Sequence, residues 1–251
     1  MDGAVSAEGS APVAVVLGAR NLGGAAARRL ARDGYRVASV ARTEASLDAV
    51  RDEVALTLTG DAADPGDLER VLRDARERLG GLDLLVNAVS ASRPPEGRRT
   101  FGGGPLAGAT LEDYRGWGGV VAEQAFVFLS VGSRALLAAG GGGGTLIQVT
   151  GGSARRAFPG RGSWAAGTHA LRALTHAAAQ ELRTEGVHVA LLIADGTIKS
   201  SRTSAMTAGT PAEALLDQDE LAAAMVFLAA QTPRGYTHEL VMTPSGDTWT
   251  P

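Results

Sequence analysis

The segment Gly18-Ala19-Arg20-Asn21-Leu22-Gly23-Gly24 follows an apolar run, Val13 to Leu17, and opens into an alanine-rich amphipathic stretch. A glycine-rich turn between strand and helix lets backbone approach a pyrophosphate, whose charge then rests on the helix N-terminus. The second apolar run ends at Ala41-Arg42, close to the ~20-residue spacing at which a dinucleotide site places its ribose-reading residue. A carboxylate at that point selects the ribose hydroxyls of NAD(H), but here the residues are neutral Ala41 and basic Arg42. Arg42 and Arg20 could clamp a 2′-phosphate through charge-assisted hydrogen bonds, so NADP(H) is preferred over NAD(H). The competing reading is two solvated arginines, in a chain whose basic residues are all arginine except Lys199. The absence of cysteine excludes thiolate nucleophiles, disulfides and zinc-thiolate sites, and suggests a reducing, cytoplasmic setting. No His/Asp/Glu cluster has metal-ligand spacing, so no metal is expected. A Gly-x-Ser-x-Gly nucleophile turn is also missing.

The elements that must position these groups alternate along the chain. Val13 to Leu17, Tyr35 to Ala41, Val54 to Thr59, Leu82 to Val86, Thr145 to Val149, His188 to Ile193 and Glu239 to Met242 read as strands. Between them lie helical stretches at 25–32, 44–52, 65 onward, 111–139, 163–184 and 219–230, with Asp64 as N-cap and Pro65 at the first position of the third. Repeated β-α order implies parallel strands joined by right-handed crossovers. The expected fold is therefore an α/β, doubly wound, Rossmann-type sheet of about seven strands, with helices on both faces and a crevice at the strands' carboxyl ends. Two stretches rich in small and turn-forming residues, Ser90 to Thr110 and Ser200 to Asp217, follow the fourth and sixth strands and would hang over that crevice as mobile loops. At 251 residues and 45% apolar, the chain fits one domain, 13–251, after a disordered tail over 1–12 that lacks signal-peptide character. No apolar run approaches the ~20 residues of a membrane span, and a net charge of −3 gives no general pull toward nucleic acid.

In this setting the chain resembles the short-chain dehydrogenase/reductase family over nearly its whole length. Beyond the glycine loop, Asp61 looks like the family's adenine-contacting Asp, and Asn87-Ala88 resembles its Asn-Ala-Gly turn with Val89 for Gly. Asp195-Gly196-Thr197-Ile198 is similar to the Pro-Gly segment lining the nicotinamide, with Asp for Pro, and Tyr236 to Leu240 is like one branch's closing strand. The resemblance thus implies cofactor contacts at Gly18, Arg20, Asn21, Leu22, Gly23, Arg42, Asp61, Asn87, Ala88, Gly196 and Ile198. It also implies a homodimer or homotetramer acting on a small molecule. The glycine loop is one residue shorter than the family's, with Asn21 at the middle glycine, which points to weakened or lost pyrophosphate binding.

Family members pass a proton from a Tyr whose pKa is lowered by a Lys four residues later, with a Ser and an Asn in support. Aligned on Phe158-Pro159-Gly160 and Ala170-Leu171, those positions hold Trp164 for Tyr, Thr168 for Lys, Gly151 for Ser and Ala122 for Asn. Tyrosine occurs only at 35, 114 and 236. An indole N–H donates a hydrogen bond but is not an acid that hands over its proton. The remaining candidates are Trp164, Thr168, Thr150, Ser153 and Asp195, with weaker cases for His169, His176, Glu123 and Gln124. For Thr150 and Ser153 the plainer reading is turn formation, for Asp195 a solvated loop, and for Glu123 and Gln124 a polar helix face. Three functions follow. One is altered chemistry such as isomerisation, cyclisation or dehydration in an NADP(H)-binding fold. The second is an oxidoreductase with another proton donor, and the third a non-catalytic sensor or partner subunit.

Overall fold

The computed structural model describes residues 11–247 apart from 91, 98–99 and 141–142. The tail expected over 1–12 therefore lies almost wholly outside the described residues, as does part of the glycine turn at 140–144. The elements run β1 (Val13–Leu17), α1 (Leu22–Arg32), β2 (Arg36–Ala41), α2 (Glu44–Leu47), β3 (Leu56–Thr59), α3 (Pro65–Leu79), β4 (Leu84–Asn87), α4 (Leu111–Tyr114), α5 (Val120–Ala139), β5 (Gly144–Gly151), α6 (Gly162–Leu182), β6 (Val187–Ala194), α7 (Gln218–Ala229) and β7 (Glu239–Met242). The seven strands form one parallel sheet in the order β3-β2-β1-β4-β5-β6-β7. The order reverses direction between β1 and β4, and a ligand crevice opens beyond the carboxyl ends at such a switch point.

Strand alternation sorts the core into two layers. Val13, Val15, Leu17, Leu85, Leu146 and Val189 face α3, α5 and α6, through residues such as Leu68, Val71, Phe128 and Leu182. Ala14, Val16, Leu84, Val86, Ala190 and Leu192 face α1 and α7, through Ala26, Leu30, Leu221 and Met225. Every residue of β1 is buried, as a strand covered on both faces requires. Helix α3 begins as its sequence dictates, with the Asp64 carboxylate accepting from the Asp67 N–H and Pro65 at the first position, and it ends on Gly80 at φ 78°.

Three expectations change. The helix expected over 44–52 is split into α2 and a short 3-10 turn at Arg51–Glu53. The chain bends there to bury both Leu47 and Val50 against Ala19. The helix expected over 111–139 is interrupted near its start, where Gly116 and Gly118 serve as contact points. Between α4 and α5 lies a π-helical turn, Arg115–Gly119. A Cβ on its Gly118 would fall 2.1 Å from the Ser163 carbonyl oxygen, and one on Gly167 of α6 would fall 2.3 Å from the Gly118 oxygen. Side chains at either position would force the two helices apart. Finally, the stretch Leu111–Ala139 is long and apolar enough by length and composition to cross a membrane, contrary to the expectation that no run reaches that length. Half of its most apolar window is buried, and α5 packs on α3 and α6, which accounts for the apolar composition.

Candidate functional site

At the nucleotide end, Gly18 leaves β1 with φ 99°, and a Cβ there would sit 3.3 Å from the Ala88 oxygen. Gly23 is more constrained, because its Cβ would fall 1.9 Å from the Gly18 oxygen, so only glycine lets α1 start this close to the strand. Asn21, the N-cap of α1, has φ 49° and ψ −124° and makes no side-chain cap. This conformation suits glycine, so the backbone keeps the shape of a glycine turn while the side chain has changed. The first turn of α1 holds no acidic residue, which leaves its positive end uncompensated and fit for an anion. The Asn21 Oδ1 accepts from the Ser201 hydroxyl at 3.3 Å, tying the loop after β6 to the glycine turn. Leu22 is buried.

Arg20 and Arg42 are both exposed, and neither pairs with a carboxylate among the described residues. Arg42 lines a cleft of about 400 Å³ with Thr59, Gly60, Asp61, Asp67 and Arg70. Asp61 is occupied at its carboxylate: one oxygen accepts from the Ala63 N–H at 3.0 Å and the other pairs with Arg93 at 2.5 Å. The backbone N–H of Asp61 holds the Asp67 carboxyl below its ordinary value, with help from Arg70. Asn87 is fully buried, and its amide donates to Gln124 at 3.0 Å and Gln148 at 2.9 Å. Its side chain clasps β4 to β5 and α5. Gln124 is thus absorbed in the core, whereas Glu123 is exposed. Ala88 donates its N–H to Leu17, and Ile198 pairs with Leu216 in an isolated bridge beside Gly196.

The catalytic end lacks a phenol beside an ammonium. Tyr35 and Tyr236 precede β2 and β7, at the amino ends opposite the crevice. Burial raises both phenols above their ordinary value, with Asp83 and Asp33 adding to the effect at Tyr35. Tyr114 ends α4, and Lys199 is exposed in the loop after β6. Trp164 packs instead into an aromatic wall, 5.4 Å from Phe101 and 6.3 Å from Trp117 between ring centroids, with Phe101 and Trp117 5.3 Å apart. Arg161 lies 5.1 Å over the Phe101 ring. Thr168 is completely buried, and its hydroxyl donates back to the Trp164 and Ala165 carbonyls at 3.1 Å. This removes Thr168 from the catalytic candidates, because its one donor is spent inside its own helix.

Ser153 is buried in the turn after β5, while Thr150 is half-buried at the strand end. Ala122 lies half-buried on α5. Asp195 is 3% exposed rather than a solvated loop residue. Its Oδ1 lies 3.5 Å from an Arg156 guanidinium nitrogen, and its Oδ2 is buried without a hydrogen-bond partner among the described residues. Gly152 makes the room, since a Cβ there would fall 1.8 Å from the Asp195 Oδ1. The two weaker histidines have other tasks. His169 is exposed and bonds its own helix at Ala165, whereas His176 meets Glu239 at 2.9 Å. Sequence reasoning missed Arg156, Gly152, Arg93, Trp117 and Phe101. Only the aromatics carried a signal, because tryptophan, tyrosine and phenylalanine make up just 4% of the chain and three of them meet here.

Comparison with known proteins agrees with this geometry. A family model described as enoyl-(acyl carrier protein) reductase matches residues 16–247. The short-chain dehydrogenase/reductase eriH of Hericium erinaceus is 26% identical over 261 residues, spanning 93% of this chain and 96% of that protein. Among solved structures, an alcohol dehydrogenase from the archaeon Thermococcus sibiricus, complexed with 5-hydroxy-NADP, superposes with a TM-score of 0.77 at 23% identity, covering 95% and 99% of the two chains. A metagenomic short-chain oxidoreductase in complex with NADP gives 0.74 at 24% identity, covering 94% and 97%. At such identities the structural likeness speaks to the fold.

Proposed function

The chain belongs to the short-chain dehydrogenase/reductase family, and from that premise we propose that it binds NADP(H) in the crevice over β1 and β4 but does not deliver protons by the family's tyrosine-lysine route. Its chemistry on this reading is non-redox, an isomerisation, cyclisation or dehydration of a bulky apolar metabolite. The observation that carries the proposal is the aromatic wall of Phe101, Trp117 and Trp164 beside a Thr168 hydroxyl turned into its own helix. Support for the cofactor comes from the uncapped α1 N-terminus, the close approach at Gly23, and two arginines, Arg20 and Arg42, free of carboxylates. NADP in the related solved structures points the same way.

In this reading the Gly18 to Gly23 turn holds the pyrophosphate, Arg20 and Arg42 meet the 2′-phosphate, and the Gly196 to Ile198 backbone lines the nicotinamide. NADP(H) when bound is in kind a hydride donor or acceptor, and on a non-redox reading it is not consumed. The chain's own residues do the rest. Trp164, Trp117 and Phe101 exclude water and orient an apolar body, and orientation alone accelerates an intramolecular reaction substantially. Asp195, 3.5 Å from an Arg156 guanidinium nitrogen, lies at the carboxyl ends of β5 and β6, where its carboxylate is the candidate proton acceptor.

The test is calorimetric titration with NADPH followed by a broad carbonyl panel. Binding with no NADPH consumption is expected. Ketone reduction by the wild-type protein would overturn the non-redox reading, and no binding would overturn the cofactor assignment. The variant Gly151→Ser/Trp164→Tyr/Thr168→Lys should recover measurable ketone reduction, since a Cβ at Gly151 meets nothing closer than 3.7 Å.

A further inference from the structure

We infer that Arg93 is a nucleotide-displaced latch: it closes the adenosine end of the crevice by pairing with Asp61 and transmits occupancy of that end to the aromatic wall. The inference rests on the NADP(H) reading above. In a doubly wound fold with a pyrophosphate at α1, the adenosine runs along the carboxyl ends of β2 and β3. In this chain that region is the cleft of Arg42, Thr59, Gly60, Asp61, Asp67 and Arg70. The Arg93 guanidinium reaches Asp61 from the loop after β4 and takes one of its oxygens, so a nucleobase that claims that oxygen displaces Arg93.

The backbone of Arg93 is fastened elsewhere. Its N–H donates to the Gly116 carbonyl at 2.7 Å, and a Cβ on Gly116 would lie 2.5 Å from the Arg93 oxygen and 3.1 Å from the Pro95 ring. Two consecutive prolines, Pro94 and Pro95, stiffen that joint. Gly116 immediately precedes Trp117, whose indole packs on Phe101 and near Trp164. Arg93 therefore bridges two sites: its side chain is held at the nucleotide cleft and its backbone at the π-helical turn that carries the wall. The paired position is the one the structure shows, and a displaced position that the wall also biases supplies the two-state element that coupling requires. By linkage, closing the wall on a substrate would change nucleotide affinity by the same factor.

The probe is adenosine 2′-monophosphate, which occupies the adenosine end, used in a Trp249→Phe background so that emission comes from Trp117 and Trp164 alone. Wild type and Arg93→Gln are titrated by calorimetry and by tryptophan emission. Arg93 is exposed, so equal thermal midpoints for the two proteins confirm folding. Removing an exposed ion pair that the ligand must break should tighten binding by roughly two- to five-fold. That gain should shrink toward unity as salt screens the pair. Binding should shift the wild-type emission and leave that of Arg93→Gln unchanged. Equal or weaker binding by the variant would overturn the latch, and an emission shift persisting in the variant would overturn the transmission. Failure of both proteins to bind the probe and NADPH would instead remove the cofactor reading, and the latch with it.

Discussion

Adding one methyl group at Gly152 tests how the crevice end of β5 is built. An alanine Cβ there would lie 1.8 Å from the Asp195 Oδ1, whereas real Cβ contacts essentially never fall under 3.0 Å, so the carboxylate must retreat by at least 3.0 − 1.8 = 1.2 Å. The Asp195 backbone is pinned by its N–H to the Met242 carbonyl at 2.9 Å, so the retreat falls on the side chain and breaks its contact with Arg156. Overpacking costs about 1–3 kcal/mol. Removing a partner from a buried ion pair costs about 3–5 kcal/mol, and this pair, with Arg156 partly exposed and a long 3.5 Å contact, sits below that range. The expected loss for Gly152→Ala is about 2–3 kcal/mol, a fall in thermal midpoint of roughly 5–10 °C. Gly152 is not among the positive-φ residues, so backbone strain contributes nothing. The assay is thermal denaturation of wild type, Gly152→Ala, Asp195→Ala and the double variant, with Gly151→Ala as a control expected to change little. In the Asp195→Ala background the methyl should cost less than about 0.5 kcal/mol, which gives a coupling of about 2 kcal/mol. Additive losses would refute the reasoning.

Two further outcomes follow from local geometry. Asn21 holds φ 49° and ψ −124°, a conformation that costs a non-glycine residue about 1–3 kcal/mol, so Asn21→Gly should raise stability by about 1 kcal/mol, read as the midpoint of urea unfolding. His188 lies stacked 4.2 Å from Tyr236, and burial, with nearby His238, holds its imidazole below the ordinary 6.5, beyond what backbone hydrogen bonds at Thr237 and Leu228 restore. The unfolded chain therefore binds the extra proton first. The stabilisation from the neutral ring is full above pH 6.5 and is lost as pH falls from 6.5 toward the folded value. Replacing His188 with Phe should flatten the stability profile between pH 6.5 and 5; an unchanged slope would place the proton uptake elsewhere. The Glu239 carboxyl enters only at lower pH. Burial works to raise it, but the Arg172 hydrogen bonds and the charges of Arg172 and His176 outweigh burial, so its contribution is present above 4.5 and falls away as pH drops through its lowered value.

What the residues determined alone is everything that depends on neighbours close along the chain. The all-apolar run of β1, the Asp64-Pro65 start of α3 and the βα alternation each follow from short-range periodicity or capping, and they yield a seven-stranded doubly wound sheet. That no tyrosine stands four residues before a lysine was also legible, because it depends on residue identity alone. Tertiary structure decided the rest. The Asp61–Arg93 pair joins residues 32 apart in sequence, and the Arg156–Asp195 contact joins residues 39 apart. Nothing near Gly152, Gly118 or Gly167 in the chain distinguishes a glycine that leaves space for a carboxylate or a helix from one that only turns. Asp195 reads as a solvated loop residue because its burial is set by β5 and the turn that follows. Thr168 reads as a crevice hydroxyl because the helical carbonyls that satisfy it become its partners only once α6 forms and Thr168 is buried. Local propensity is fixed by covalent neighbours, whereas burial and pairing belong to groups that meet only after the chain has closed on itself.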